Sequence, residues 1–139
     1  MIVLIDTSVL SLAFRRRNPA AITPHEAEVA NTAKRLALTR KGVLIGMVRQ
    51  EALSGLRNKS QFDKLKTILD GFALMPTEMA DHDSAAECFN QCRAKGVAAG
   101  DVDMLICAVA LRRSGMILTV DNDFTRYARC LPISIYHVP

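Results

Sequence analysis

Short aliphatic runs alternate with helix-like segments along the whole chain, and this alternation limits the folds open to it. The first run, Ile2 to Ile5, is aliphatic at every position and stops on Asp6. A run without polar alternation is typical of a strand whose two faces are both covered by helices, as in a parallel sheet. Comparable runs follow at 43–47, 72–75, 116–120 and 133–138. Four or five strands separated by helices predict right-handed crossovers and one central parallel sheet, an α/β fold.

Capping and stop signals predict where the helices begin and end. Residues 23–26, Thr-Pro-His-Glu, form a capping box with proline at the first helical position. We expect Gly42 to end this helix. We also expect Ser60 to cap a later helix that ends near residue 71, and Thr77 to begin a further helix that runs to Lys95. The segment 104–111 is apolar nearly all round, which predicts a central, buried helix.

Length and composition favour one compact domain spanning residues 1–139. Half of the 139 residues are hydrophobic, and no segment is charge-rich or of low complexity. The N-terminal apolar run is too short for a signal peptide or a membrane span. The four cysteines form no CxxC pair. Together these features predict a cytoplasmic protein with free thiols and no structural metal bound by cysteine.

Acidic residues recur where the strands are predicted to end. Asp6 follows the first strand, Glu51 lies one helical turn beyond the second, and Asp121 and Asp123 follow the fourth. Asp103 lies in the first turn of the predicted buried helix. Because the carboxyl ends of parallel strands meet at one edge of a sheet, we expect these acids to lie close together.

A cluster of carboxylates favours a bound cation and the chemistry that such a cation supplies. Carboxylates in one cleft repel each other, and a cation relieves the repulsion. Ligand sets made of oxygen alone favour Mg²⁺ or Mn²⁺. These ions activate water and stabilise leaving oxygens in phosphodiester cleavage. The hydroxyl groups of Thr7 or Ser8 could position a ligand or a water beside Asp6.

Each acid also has an ordinary structural explanation. Asp101 is expected to be the N-cap of the buried helix, and Asp103 gains from the helix dipole. Glu51 could be solvated on its helix, and Asp121 and Asp123 could simply begin the last short helix. The prediction of a functional site therefore depends on the recurrence of acids at one edge and not on any single residue.

Four motifs resemble the PIN-domain family, in particular the VapC-type toxins of type II toxin-antitoxin systems. They are "LIDTSVL" at 4–10, "EALSG" at 51–55, "DMLICAVAL" at 103–111 and "LTVDNDF" at 118–124. The resemblance implies a three-layer α/β/α sandwich and an Mg²⁺- or Mn²⁺-dependent endoribonuclease. It also implies an RNA substrate, a homodimer and a small antitoxin that occupies the active groove.

The same resemblance assigns roles to the acids. Asp6, Glu51 and Asp103 match the three core acids of the family, and Asp121 matches the fourth. These four are the predicted catalytic and metal-binding residues. Asp123, just before a phenylalanine, is predicted to be auxiliary.

Three further residues are predicted to be auxiliary. Ser8 stands where many members of the family have asparagine, and Thr7 precedes it. Asp101 lies outside the core pattern and is kept as a capping or supporting residue.

Two other classes of function remain open from sequence. One is a receiver-like signalling domain that binds Mg²⁺, which would need an acceptor aspartate after the third strand, where the chain offers only Glu78. The other is a non-catalytic module that binds RNA or protein. The net charge of +4 is a weak indication of a polyanionic partner.

Overall fold

Four short parallel strands form the central sheet. The computed structural model describes residues 1–15 and 21–139. The strands are β1 (Val3–Ile5), β2 (Gly42–Ile45), β3 (Ala73–Met75) and β4 (Met116–Leu118), in the order β3-β2-β1-β4. Every pairing is parallel, and β1 lies between β2 and β4. The predicted parallel sheet is therefore confirmed, with β1 at its centre and wholly buried.

The C-terminal segment contributes less to the sheet than the sequence predicts. Residues 133–138 were predicted to form a fifth strand, but only one parallel bridge, between Ile117 and Ile135, is present. It is made by the amide of Ile117 donating to Ser134 at 2.9 Å and the amide of Tyr136 donating to Ile117 at 2.8 Å. Because β4 is only three residues long, it offers the last segment few backbone groups with which to pair.

Helices flank the sheet in the arrangement of a three-layer α/β/α sandwich. They are α1 (Thr7–Leu10), α2 (Pro24–Leu38), α3 (Gly46–Leu53), α4 (Lys59–Leu69), α5 (Met79–Ala94), α6 (Asp101–Arg112) and α7 (Asp123–Tyr127), and α1 continues into one π-helical turn, Ser11–Arg15. Helix α1 contacts α2 and α3, whereas α5 packs on α6, which contacts β1 and β4. In the described residues no helix is long and apolar enough to cross a bilayer.

The first capping prediction is confirmed, but the expected end of that helix is wrong. Thr23 and Glu26 form the capping box, each side chain bonding the other's backbone amide at 3.1 Å. Helix α2 ends at Leu38, and Arg40 turns the chain with φ of 60°. Gly42 instead begins β2, where an added Cβ would lie 3.0 Å from the Cβ of Leu36. A close approach of backbone to helix, and not a helix stop, explains this glycine.

Three other helix starts differ from the predictions by one or two residues. Asn58, not Ser60, caps α4 by accepting the amide of Gln61 at 3.0 Å. Glu78, not Thr77, is the N-cap of α5. Gly100, not Asp101, is the N-cap of α6, so Asp101 is the first helical residue. In each case the boundary moves by only one or two residues, because helix ends are weakly specified by local sequence and tertiary packing decides between neighbouring positions.

The core is continuous across the sheet and includes the predicted buried helix. Residues 104–110 of α6 are all buried, as the sequence predicts. Leu65 and Leu69 of α4 are 4% and 1% exposed, so these two leucines pack on the core of their own chain. All four cysteines carry free thiols, three of them buried.

A buried ion pair joins α5 to the C-terminal end of α6. The side chain of Asp81 is fully buried and accepts Nη1 of Arg112 at 2.7 Å and the amide of Glu78 at 2.9 Å. Burial alone would raise the pKa of Asp81, but the Glu78 amide and the Arg112 guanidinium hold it below its ordinary value. Arg112 also contacts Glu78 at 3.4 Å. Asp81 therefore both caps α5 and anchors it to α6.

We expect Asp81→Ala to lower the free energy of unfolding by about 2 kcal/mol, because it leaves a partly buried guanidinium and a helix-end amide without their partner. Asp63→Ala is the matched control, since Asp63 pairs with Lys59 on the exposed surface of α4. It should cost less than about 0.5 kcal/mol. Urea unfolding measures both.

The lowered pKa of Asp81 also predicts how its contribution to stability changes with pH. The stability contributed by Asp81 is present above pH ~4 and lost as the pH falls. The difference between wild type and Asp81→Ala should therefore shrink on acidification. Equal costs for the Asp81 and Asp63 substitutions would contradict the anchoring role.

Candidate metal centre

The carboxyl ends of β1 and β4 bring two acidic segments side by side. The amide of Asp6, just beyond β1, donates to the carbonyl of Leu118 at the end of β4, at 3.0 Å. Asp121 lies only three residues after Leu118, so its loop begins beside the backbone of Asp6. The edge predicted from the parallel arrangement is the place where these acids meet.

Asp6 is buried and held by two hydroxyl groups. Its Oδ2 accepts Oγ of Ser8 at 2.6 Å and Oγ1 of Thr119 at 2.9 Å, and Asp6 is only 4% exposed. Ser8 Oγ in turn accepts the amide of Val120 at 3.2 Å, and Thr119 Oγ1 accepts the amide of Asp121 at 3.0 Å. Burial raises the pKa of Asp6, and the two hydroxyl donors oppose that rise. The network fixes both the carboxylate and the loop that carries Asp121.

Asp103 lies in the first turn of α6, where the neighbouring acids act on it. Its Oδ2 accepts the hydroxyl of Tyr127 at 2.8 Å. Burial raises the pKa of Asp103 to about 6; the charges of Asp6, Asp121 and Glu51 also raise it, whereas the Tyr127 hydroxyl lowers it. The four acids that the sequence predicts as ligands therefore act on one another electrostatically.

One oxygen of each of three carboxylates lies within 4.8 Å of the others. These carboxylates belong to Asp103, Asp121 and Asp123. Oδ1 of Asp121 accepts the amide of Asp123 at 2.9 Å, which folds the loop so that both acids face Asp103. Asp123 also pairs with Arg126 one turn later on α7. Asp123, predicted from sequence to be auxiliary, thus lies within the same 4.8 Å of Asp103 as Asp121.

The remaining predicted residues lie around this group in different ways. Glu51 on α3 accepts the hydroxyl of Thr7 at 2.8 Å, which gives Thr7 a positioning contact. Asp101 is exposed at the start of α6, lines a groove with Met47 and Phe89, and is not one of the three converging carboxylates. The structure therefore brings Asp103, Asp121 and Asp123 together, whereas Asp6 and Glu51 act on Asp103 through their charges and Asp101 lies outside the group.

The donor set fits a hard divalent cation. The three converging side chains offer only carboxylate oxygen, which suits Mg²⁺ or Mn²⁺ better than softer metals. Burial is the main cause of the raised pKa of Asp103, and the charges of Asp6, Asp121 and Glu51 add a repulsion that a cation would relieve. The predicted role of these residues as ligands is chemically consistent with their arrangement.

Two residues of the site escaped the sequence analysis. Thr119 bonds Asp6, and Tyr127 bonds Asp103. Thr119 lies two residues before Asp121, at the end of an apolar strand, and a polar residue at that position was an available signal. Tyr127 had no local signal, because its hydroxyl reaches a residue 24 positions away.

Comparison with known proteins identifies the family. The family profile described as "PIN domain" matches residues 3–129. Among curated proteins, none matches the chain.

Solved structures with the same fold have low sequence identity to the chain. FitAcB from Neisseria gonorrhoeae has 19% identity and a TM-score of 0.73, covering 98% of this chain and 97% of that one. VapBC2 from Rickettsia felis, bound to a DNA fragment from its promoter, has 17% identity and a TM-score of 0.76, covering 98% of each chain. A toxin-antitoxin complex from Klebsiella pneumoniae has 17% identity and a TM-score of 0.67, covering 88% and 89%. With the profile match spanning nearly the whole length, the chain belongs to the PIN domain family.

Proposed function

We propose that the chain is an Mg²⁺- or Mn²⁺-dependent endoribonuclease, acting as one domain and as the toxin of a type II toxin-antitoxin pair. The observation that carries the proposal is the convergence of Asp103, Asp121 and Asp123 at the carboxyl edge of the sheet in a PIN domain. Three carboxylates brought this close repel one another, and one exposed ion pair, Asp123 with Arg126, offsets only part of that cost unless a cation binds.

Six side chains take separate roles in this proposal. Asp103, Asp121 and Asp123 would hold the cation, and Asp6 and Glu51 would add negative charge and further ligand oxygens. A bound divalent ion lowers the pKa of its water and stabilises charge that develops on phosphate oxygens. Ser8 keeps the Asp6 carboxylate in place through its 2.6 Å bond.

The hydroxyl groups make this arrangement rigid before any ligand binds. Thr119 links the Asp6 carboxylate to the amide of Asp121, so a movement of one strand end would disturb both acids. Thr7 orients the Glu51 carboxylate toward the same edge. Preorganised ligands cost less to order when the cation and the RNA phosphate arrive.

Partners follow from the same assignment. The Klebsiella structure is a toxin-antitoxin complex, and we propose a small antitoxin for this chain. An antitoxin arginine placed among the carboxylates would supply positive charge in place of the metal. We also propose a homodimer, which the resemblance to the family implies; Leu65 and Leu69 of α4 are buried in the core of their own chain and do not contribute to it.

Neither alternative class of function gains support from the site. A receiver-like domain needs an acceptor after β3, and Glu78, the acid there, pairs with Arg112 at 3.4 Å and Arg113 at 3.7 Å. A non-catalytic binding module would not need three carboxylates within 4.8 Å of one another. Metal-dependent cleavage is the measurement that separates these functions.

The first prediction compares two aspartates on the same helix. Asp103→Asn keeps the size and the acceptor for Tyr127 but removes one ligand charge, and it should lower Mn²⁺- or Mg²⁺-dependent RNA cleavage by about 100-fold. Asp101→Asn is the matched control and should retain most activity, because Asp101 lies outside the converging carboxylates. Cleavage of a labelled RNA with each metal, and with chelator, measures both.

The cation should also raise the melting temperature of the wild type and of Asp101→Asn more than that of Asp103→Asn. Wild-type activity that survives chelation would contradict the metal-dependent mechanism. Equal activity in Asp103→Asn and wild type would remove Asp103 as a ligand.

The raised pKa of Asp103 predicts how the metal-free protein responds to pH. Since the folded state holds this proton more tightly than the unfolded state, stability falls as the pH rises from about 4 through 6. Asp103→Asn should be more stable than wild type by about 1 kcal/mol at pH 7, a value reduced for the partial exposure of the group. The difference should vanish near pH 4. Urea unfolding in chelator at both pH values measures it, and a constant difference would contradict it.

Size-exclusion chromatography with light scattering tests the proposed homodimer and the proposed antitoxin complex. Purified alone, the chain should have about twice its 15.3 kDa monomer mass. Co-expressed with the product of the neighbouring gene, it should elute with a small protein. A mass near 15.3 kDa at micromolar concentration would contradict the dimer, and free expression without growth arrest or a partner would contradict the toxin role.

A further inference from the structure

We propose that Tyr127 is a positioning residue of the acidic site. Its hydroxyl, which donates to Oδ2 of Asp103 at 2.8 Å, holds that carboxylate in the orientation in which it shares a cation with Asp121 and Asp123. The inference rests on the proposed metal site and adds to it a residue that would touch neither cation nor RNA.

The Tyr127 ring is fixed from several sides. The residue is 1% exposed, and its ring packs edge-on against Phe124 at 5.2 Å between centroids. Its carbonyl accepts the amides of Cys130 at 2.9 Å and Leu131 at 2.8 Å. With its backbone hydrogen-bonded and its ring packed, Tyr127 keeps its hydroxyl in one position beside Asp103.

The bond joins the two segments that supply the converging acids. Tyr127 ends α7, and Asp123 begins it. Asp103 belongs to α6. The Tyr127–Asp103 bond therefore fixes the distance between the α6 acid and the acids at the start of α7.

The Tyr127–Asp103 hydrogen bond also opposes the repulsion between Asp103 and the neighbouring carboxylates. Asp103 has one carboxylate oxygen within 4.8 Å of oxygens of Asp121 and Asp123, and like charges at that distance push its side chain away from the other two. A tyrosine hydroxyl is protonated at neutral pH and donates, here to Oδ2 of Asp103 at 2.8 Å. A donor of this kind opposes the repulsion without adding a positive charge that would compete with the cation.

The alternative is that the hydroxyl only joins α6 to α7. In that case Tyr127→Phe would lower stability and leave the intrinsic Mg²⁺ affinity of the folded protein unchanged. A positioning role instead predicts weaker binding by the folded protein. The two roles therefore differ in metal affinity and not in melting temperature.

Calorimetric titration of Mg²⁺ into folded, chelator-stripped protein distinguishes them. Tyr127→Phe retains the ring against Phe124 and should weaken Mg²⁺ binding about 10-fold. Tyr136→Phe, which removes the chain's other phenol on the segment bridged to β4, is the matched control and should bind as wild type does. Wild-type affinity in Tyr127→Phe would overturn the inference and leave the proposed metal site standing. Failure of the wild type itself to bind Mg²⁺ or Mn²⁺ would overturn both.

The chain also allows a direct spectroscopic test, because it has two tyrosines and no tryptophan. In Tyr136→Phe, Tyr127 is the only emitter, and a carboxylate that accepts its hydrogen bond quenches its fluorescence. Mg²⁺ at Asp103 should weaken that acceptor and raise the emission, whereas NaCl of equal ionic strength should not. The response should disappear when Asp103→Asn is added. Mg²⁺ binding seen by calorimetry with no change in Tyr127 emission would overturn the inference.

Discussion

Repulsion among carboxylates at one edge of a small parallel sheet is the constraint on which the rest of this structure depends. The sheet has only four strands, yet the ends of its two adjacent strands β1 and β4 place Asp6 and the 121–123 loop side by side. Such a cluster destabilises the fold that creates it. The surrounding structure offsets that cost with neutral donors, since Ser8, Thr119 and Tyr127 each donate a hydroxyl to an acid.

The choice of hydroxyl donors has a chemical reason. An arginine or lysine at these positions would neutralise the acids and occupy the space of a cation. Hydroxyl groups orient the carboxylates and leave their charge available. Arg126 does pair with Asp123, but from the exposed side of α7, where solvent screens the interaction. The site is therefore rigid and remains negatively charged.

Sequence reasoning recovered the features that follow from periodicity and from parallel topology. The aliphatic run before Asp6 predicts a buried strand, and the apolar segment 104–111 predicts a buried helix; both are present. Convergence of the acids follows from these elements, because parallel strands share one carboxyl edge. The PIN family match agrees with the motifs that carry the same residues.

What sequence reasoning missed depends on packing between distant segments. Neither the use of Gly100 in place of Asp101 as N-cap nor the close approach of Gly42 to Leu36 has a local signature. The predicted fifth strand is reduced to one bridge for a similar reason. Its pairing is limited by the short length of β4 and not by the composition of the segment itself. Tyr127 lies at the end of a five-residue helix, and only the tertiary structure brings its hydroxyl to Asp103.

Helix α6 is tied at both ends, to Tyr127 through Asp103 and to α5 through Arg112 and Asp81. Each residue of an α-helix advances about 100° around its axis, so the two ties fix how far apart in sequence Asp103 and Arg112 can lie. Inserting or deleting one residue between them would turn one end away from its partner, whichever residue was chosen. The length of α6 should therefore resist change more strongly than its composition, and apolar substitutions of similar volume should be tolerated where a single-residue indel is not.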